Sequence, residues 1–315
     1  MTEVLRERAE SGSLPGERRD SHRVALVLEG GGMRGVVSAA MTAALERLGL
    51  TSCFDLVLGS SAGAINGAAL IAGVAAHGAA TYHGALASKE FVNPARVLRG
   101  RPVMDVRYVL EYATADLDEG RHERVVESPI ELYCVAVDVE AARSHAFTGM
   151  RTKQELLDAL LASSRMPWAG GPPVAVGGRR YLDGALLGAP VPVDEAIAQG
   201  ATHVLVLQTR PHGEPRKSAS KVADLLIGRH LRRLNPELLT LYRDRFDSYE
   251  RCVDDVARRS ADPGAEPPYV LGLRPPAGTP VVSQTERRSE VLATAAAQAE
   301  RIVEDALHLG AAAGR

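Results

Sequence analysis

The stretch from Arg23 to Gly73 constrains this chain most. RVALVLEGGGMRGVVSAAMTAALERLGLTSCFDLVLGSSAGAINGAALIAG reads as strand, glycine loop, helix, strand, sharp turn and helix. Val24 to Leu28 is a short apolar, β-rich run that stops at Glu29 and three successive glycines. An Ala/Leu/Met segment with helical spacing follows from Val36 to Leu48, and Gly49 supplies its C-terminal cap. Phe54 to Leu58 is a second buried-strand candidate. It runs into Gly59-Ser60-Ser61-Ala62-Gly63, and a helix of small residues begins at Ala64. Apolar strand and helix go on alternating to Gln208, which predicts an α/β sandwich with a mainly parallel sheet.

Gly59-x-Ser61-x-Gly63 between a strand and a helix is the nucleophile-elbow pattern. Its middle residue sits in a strained backbone turn, so the side chain stands proud of the sheet edge. Small neighbours two positions either side let strand and helix close up. Ser61 is therefore the candidate nucleophile, and Ser60 points elsewhere. The helix that follows aims its N–H groups and positive dipole end at the place where negative charge would develop. Gly30, Gly31, Gly32 and Gly35, with Met33 and Arg34 among them, leave backbone N–H groups unshielded and able to converge on an anion. In an acyl-transfer enzyme that anion is the oxygen of the tetrahedral intermediate, so the loop fits an oxyanion hole. A dinucleotide-binding loop and a purely structural turn are the alternatives on pattern alone. The first wants an acidic residue at the end of the second strand. Here Asp55 stands at the wrong end, and the far end carries the serine turn.

EGGGMRG followed by GSSAG, and far downstream by Asp183-Gly184-Ala185, resembles the patatin-like phospholipase family. The likeness runs from about Val24 to Arg210. It implies a three-layer α/β/α sandwich with a mainly parallel central sheet. It also implies a serine–aspartate dyad of Ser61 and Asp183, with an oxyanion loop at Gly30 to Gly35. Arg34 matches the family's loop arginine and is expected to brace the loop or offset negative charge. No metal or organic cofactor is implied. The implied reaction is hydrolysis of carboxylic esters of a phospholipid, lysophospholipid or glyceride. An acyltransferase using the same serine and a non-catalytic lipid-binding scaffold are the competing functions. Asp-Gly is itself a turn signal. An aspartate of ordinary pKa, ~3.9, is also a poor base for a serine hydroxyl. The dyad therefore needs a desolvated carboxylate within direct reach of Ser61. Asp138 is a second candidate carboxylate. Among histidines, His212 lies just past a strand's C-terminal end and is the rival base. His203 precedes that strand, opposite the edge where Ser61 should emerge, and His145 is a lesser candidate than His212.

The remaining features set bounds. The chain has 315 residues, a net charge of −2 and one Trp, which gives no pull toward nucleic acid. Cys53, Cys134 and Cys252 are scattered, without metal or disulfide spacing, and a reducing cytoplasm is the simplest setting. The domain reading is a disordered leader at 1–22, partly helical at Glu3 to Ala9, a catalytic core at 23–210, and a helical C-terminal extension at 211–315. Within the extension, Lys221 to Ala257 reads as one or two helices. Its Arg229, His230, Arg232 and Arg233 either sit on a layer added to the sandwich or touch an anionic membrane, making the chain peripheral there. Arg96, Arg99, Arg101 and Arg107 either hold an anionic head group or form a solvated face. Met166 and Trp168 either line an acyl pocket or simply pack. Oligomeric state is open.

Overall fold

Val24–Leu28 is buried at every position, because it forms the strand at the centre of a sheet covered on both faces. The computed structural model of the chain describes residues 1–99, 102–111, 120–167, 170–214, 221–262 and 266–307. Arg101, Trp168 and most of the Gly213 to Ser220 linker lie outside the described residues, as does the side chain of Arg99.

Helix α1 (Thr2–Ser11) precedes β1 (Val24–Leu28), and a short 3-10 turn at Gly32–Gly35 leads into α2 (Val36–Arg47). Then come β2 (Leu56–Ser60), α3 (Ala62–Ile71), α4 (Ala75–His83), α5 (Val106–Glu111), α6 (Arg121–Val126), β3 (Glu131–Asp138), β4 (Arg143–Phe147) and α7 (Lys153–Ser163). They are followed by β5 (Val174–Val176), β6 (Arg179–Asp183), α8 (Gly184–Leu187), α9 (Val193–Ala198) and β7 (His203–Leu207). The chain goes on through α10 (Lys221–Leu234), α11 (Pro236–Ala261), β8 (Tyr269–Leu273) and α12 (Ser289–Ala306).

The strands make one sheet in the order β5-β6-β3-β2-β1-β7-β8, with β4 also paired to β3. The run β3-β2-β1-β7-β8 is parallel, and the β3–β4, β3–β6 and β5–β6 pairings are antiparallel. Period-two alternation sorts β1 between the layers. Val24, Leu26 and Leu28 enter the core shared with α2, α3, α4 and α12, while Ala25 and Val27 enter the one under α9 and α11. The sandwich is thus the three-layer α/β/α architecture with a mostly parallel sheet. In α2 every residue from Val36 to Leu45 is buried. Its alanines let α4 and α12 approach closely.

One expectation about domain limits is corrected. Residues 1–22 are not a disordered leader. Arg8 is buried, and its guanidinium donates to Asp20 (2.8 and 3.0 Å), to Asp55 (2.8 Å) and to the Cys53 and His22 carbonyls. A polar composition concealed this, because the partners that neutralise Arg8 stand 12 and 47 residues away. Within 211–315, Tyr269 to Leu273 reads from sequence as an edge or final strand among helices. β8 extends the central sheet in parallel register with β7, and α12 packs on α2. The break between α10 and α11 falls at Asn235-Pro236. There Asn235 caps α11 and donates to the Val139 carbonyl at 2.9 Å.

Candidate active site

Ser61 lies between β2 and α3 at φ 56° and ψ −125°, a conformation that L-residues avoid. Gly59 and Gly63 make that turn sterically feasible. A Cβ on Gly59 would stand 2.3 Å from the Gly63 carbonyl carbon, and one on Gly63 would stand 2.4 Å from the Leu28 oxygen. The Ser61 N–H donates to Ser163 Oγ at 2.9 Å, and Ser163 Oγ donates onward to the Val135 carbonyl at 2.7 Å. Thus the last residue of α7 pins the turn to β3. Ser60 faces the other way and donates to the Ala189 carbonyl at 2.5 Å.

Asp183 ends β6. Sheet register sets Ser60 opposite Val135 on β3, and Ala136, the next residue, opposite Asp183. Ser61 and Asp183, separated by 122 positions in sequence, therefore flank the same point on β3. Asp183 is 2 % exposed, and its Oδ1 accepts the Leu186 N–H at 2.8 Å, capping α8. Its own N–H donates to the Arg165 carbonyl at 2.8 Å. Gly184 has no room for a side chain, since a Cβ there would meet the Val135 oxygen at 2.2 Å.

The glycine loop closes the third side. A Cβ on Gly30 would lie 2.2 Å from the Ser60 oxygen and 3.0 Å from Ala185 Cβ, so loop, elbow and Asp183 turn meet there. Several of the loop's N–H groups are committed internally. Gly30 donates to Pro190, Met33 to Gln284 and Arg34 to Gly31. Met33, expected to offer its N–H to the site, therefore does not. Among the described residues the N–H groups of Gly31, Gly32 and Ala62 have no acceptor. Arg34 is buried and braces the loop. Its guanidinium lies against Gly31, and its Nε donates to Thr209 Oγ1 at 3.1 Å. The Thr209 N–H donates to Glu29 Oε2 at 2.6 Å, and the Tyr249 hydroxyl donates to Glu29 Oε1 at 3.1 Å.

Gly30, Gly31, Gly32, Ser61, Asp183 and Met166 line one small space, joined by Met104 and Gln284. On its apolar side Ser61 faces a space walled by Ile65, Leu86, Phe91 and Val109. Ser164 also lines this wall, and its buried hydroxyl is without a hydrogen-bond partner. Among the described residues, Asp183 is the one carboxylate or imidazole that shares a space with Ser61.

The rivals lie elsewhere. Asp138 pairs with Arg179 and accepts the Ala141 N–H at 2.8 Å. Burial pushes its pKa up, but those two contacts outweigh it and the net shift is down. His203 starts β7, at the opposite end of the strand from the site, and burial lowers its pKa to about 4. His145 packs against Phe147 and Tyr181, and His212 donates its N–H to Pro275.

A family model described as patatin-like phospholipase matches residues 26–197, more than half of the chain. The chain belongs to the patatin-like phospholipase family. Its members are lipid acyl hydrolases. "Uncharacterized protein YjjU" of Escherichia coli (strain K12) is 35% identical over 192 residues, which cover 60% of this chain and 52% of that protein. The chain thus matches about half the length of this curated relative. The crystal structure of VipD from Legionella pneumophila aligns with a TM-score of 0.42 at 12% identity, covering 91% of this chain and 67% of that one. Motif spacing points to Ser61 and Asp183. It does not point to Ser163, which accepts the Ser61 N–H, or to Thr209 and Tyr249, which reach the side chains of Glu29 and Arg34 from distant segments. Among the described residues no helix is long and apolar enough to cross a membrane.

Proposed function

We propose that this patatin-like protein is a serine hydrolase of lipid carboxylic esters that works through Ser61 and Asp183. Ser61 on its strained turn, sharing a desolvated space with a single carboxylate, is the observation that carries this reading. Asp183 takes the proton from Ser61 Oγ as the hydroxyl attacks the ester carbonyl. The N–H groups of Gly31, Gly32 and Ala62 stabilise the oxyanion, helped by the positive end of α3. The alcohol leaves with the proton held by Asp183, and water activated by the same carboxylate then releases the acyl group. The apolar cavity beside Ser61 favours a fatty acyl chain over a polar acid.

A screen of esters varying in chain length and head group, run on wild type, Ser61→Ala and Asp183→Asn, tests the reading. Wild type should hydrolyse medium or long acyl esters and label with a fluorophosphonate. Each variant should lose on the order of a thousandfold or more in kcat. Retention of ester hydrolysis by Ser61→Ala would refute it.

The outer face of α10 supports work at a lipid surface. Val222, Leu225 and Leu226 are exposed along one side, and Arg229, Arg232 and Arg233 continue it. Asp224, the helix's sole carboxylate, instead faces Tyr242 and Arg245. Three aliphatic side chains beside a run of cations suit an anionic bilayer. Co-sedimentation with phosphatidylglycerol vesicles should exceed that with phosphatidylcholine vesicles, and Leu225→Glu with Arg229→Glu should abolish the difference.

A further inference from the structure

Beside the apolar space at Ser61 lies a second cavity, open at its mouth. It runs along α3, between α4, α6 and α7. Ile65, Tyr82, Leu86 and Val109 line both spaces, so the two adjoin. The wall is almost wholly apolar, and its polar groups near Ser61 are satisfied. The Tyr82 hydroxyl donates to Asn66 Oδ1 (3.1 Å), and Asn66 Nδ2 donates to the Gly35 carbonyl (2.9 Å) and to Ser38 Oγ (3.0 Å). Thr81 Oγ1 donates to the His77 carbonyl at 2.9 Å.

His122 differs. It lines the cavity at 8 % exposure, and its buried Nδ1 has no hydrogen-bond partner. Burial, with Arg121 beside it, lowers the pKa of the ring, so the imidazole is neutral at neutral pH and holds one N–H and one lone pair. A neutral ring nitrogen in an apolar wall calls for a partner able to donate or accept, whichever tautomer is present. A hydroxyl does both.

The position of His122 sets where that hydroxyl must be. His122 lines the cavity together with Ala72, at the end of α3 away from Ser61, and two residues on Arg124 Nε donates to the Ala72 carbonyl at 2.7 Å, tying α6 there. From Ser61 to Ala72 the helix advances about 16 Å at about 1.5 Å per residue. An extended alkyl chain with C–C bonds of about 1.5 Å advances about 1.25 Å per carbon, so the span is about a dozen carbons.

The geometry points to a hydroxylated acyl chain as the cavity's ligand, its hydroxyl about a dozen carbons from the ester carbonyl and bonded to His122 Nδ1. This rests on the reading of Ser61 as the nucleophile. A plain alkyl end leaves Nδ1 without a partner, a penalty equivalent to about tenfold in affinity.

Titration calorimetry on Ser61→Ala with dodecanoic acid and ω-hydroxydodecanoic acid tests it, because the two share chain and carboxylate and differ only in the hydroxyl. The hydroxy acid should bind about tenfold tighter. Placing the hydroxyl at mid-chain should remove the gain, and so should His122→Phe in the same background. In wild type the 4-nitrophenyl esters of the two acids should show the same ratio in kcat/KM. Equal binding of the two acids overturns the proposal. So does a preference that survives His122→Phe, a gain for the mid-chain isomer, or no binding of either acid. Should His122→Phe fail to fold, the mid-chain isomer decides without a variant. If the hydroxy acid binds tighter but wild type hydrolyses neither ester, the cavity assignment stands and the hydrolase reading falls.

Discussion

Replacing Ser61 by glycine should give a protein more stable than replacing it by alanine. Both variants lose the hydroxyl and should be equally inert, so the comparison isolates the backbone. At φ 56° and ψ −125° a residue with a Cβ carries strain of about 1–3 kcal/mol. Glycine relieves that strain but has more freedom to lose on folding, which returns about 0.5–1 kcal/mol. The Cβ that glycine omits borders the cavity rather than packed core. The balance favours Ser61→Gly by up to about 2.5 kcal/mol, centred on ~1 kcal/mol, or roughly 2 °C in Tm at about 2 °C per kcal/mol for a chain of this size. Urea titration and thermal melts of the two variants, side by side, measure it. If the glycine variant melts at or below the alanine variant, the turn is not strained and the elbow argument fails.

Ser163→Ala should strand the Ser61 N–H and strip one donor from the Val135 carbonyl. The cost is about 2–4 kcal/mol, with ester turnover falling further than Tm alone accounts for. A melt within a degree of wild type and unchanged kcat would count against the pinning role. Tyr249→Phe removes a hydrogen bond to Glu29, about 1–2 kcal/mol, and should lower kcat several-fold at unchanged KM. Arg8→Ala takes the buried cation from Asp20, which is partly exposed, while Asp55 keeps Arg18 at 2.6 Å, and with the Cys53 and His22 carbonyls also losing a donor it should cost about 2–3 kcal/mol by denaturant titration. His203 titrates near pH 4 when folded, because burial opposes its charge, against an ordinary value of 6.5. The unfolded chain therefore binds the proton first. The stability His203 supports is complete above pH 6.5, falls as pH drops toward 4 and is level below. Urea midpoints at several pH values should show that slope shrink in His203→Gln.

The catalytic candidates were legible because each is set by a short local pattern. Gly59 and Gly63 are close in sequence and touch in space, and the Asp183 turn likewise needs Gly184 at once. The loop between Gly30 and Gly35 was legible as a glycine cluster, but which amides remain open was not. Gln284, 251 residues beyond Met33, takes one of them. Ser163 reads as the end of a helix, and nothing in its neighbours marks the Ser61 N–H as its partner. Polar composition misleads at 1–22, since Arg8 is buried by partners that only folding gathers. β8 reads as an edge or final strand, yet its parallel seat beside β7 depends on long-range pairing. Sequence patterns of a few residues report turns and caps. Contacts across the sheet report nothing until the chain is folded.

The brace on the glycine loop has a consequence for how the protein is made. Ser61 and Asp183 both leave the ribosome well before Tyr249 and Gln284, which hold the loop from the last third of the chain. Until those late residues arrive, Glu29 lacks one partner, the Met33 amide lacks its acceptor, and β7 has a bare edge where β8 belongs. A nascent or prematurely ended polypeptide thus carries the Ser61 turn without its finished surroundings. Synthesis order itself therefore places completion of the glycine loop after both the Ser61 turn and the Asp183 turn have been made.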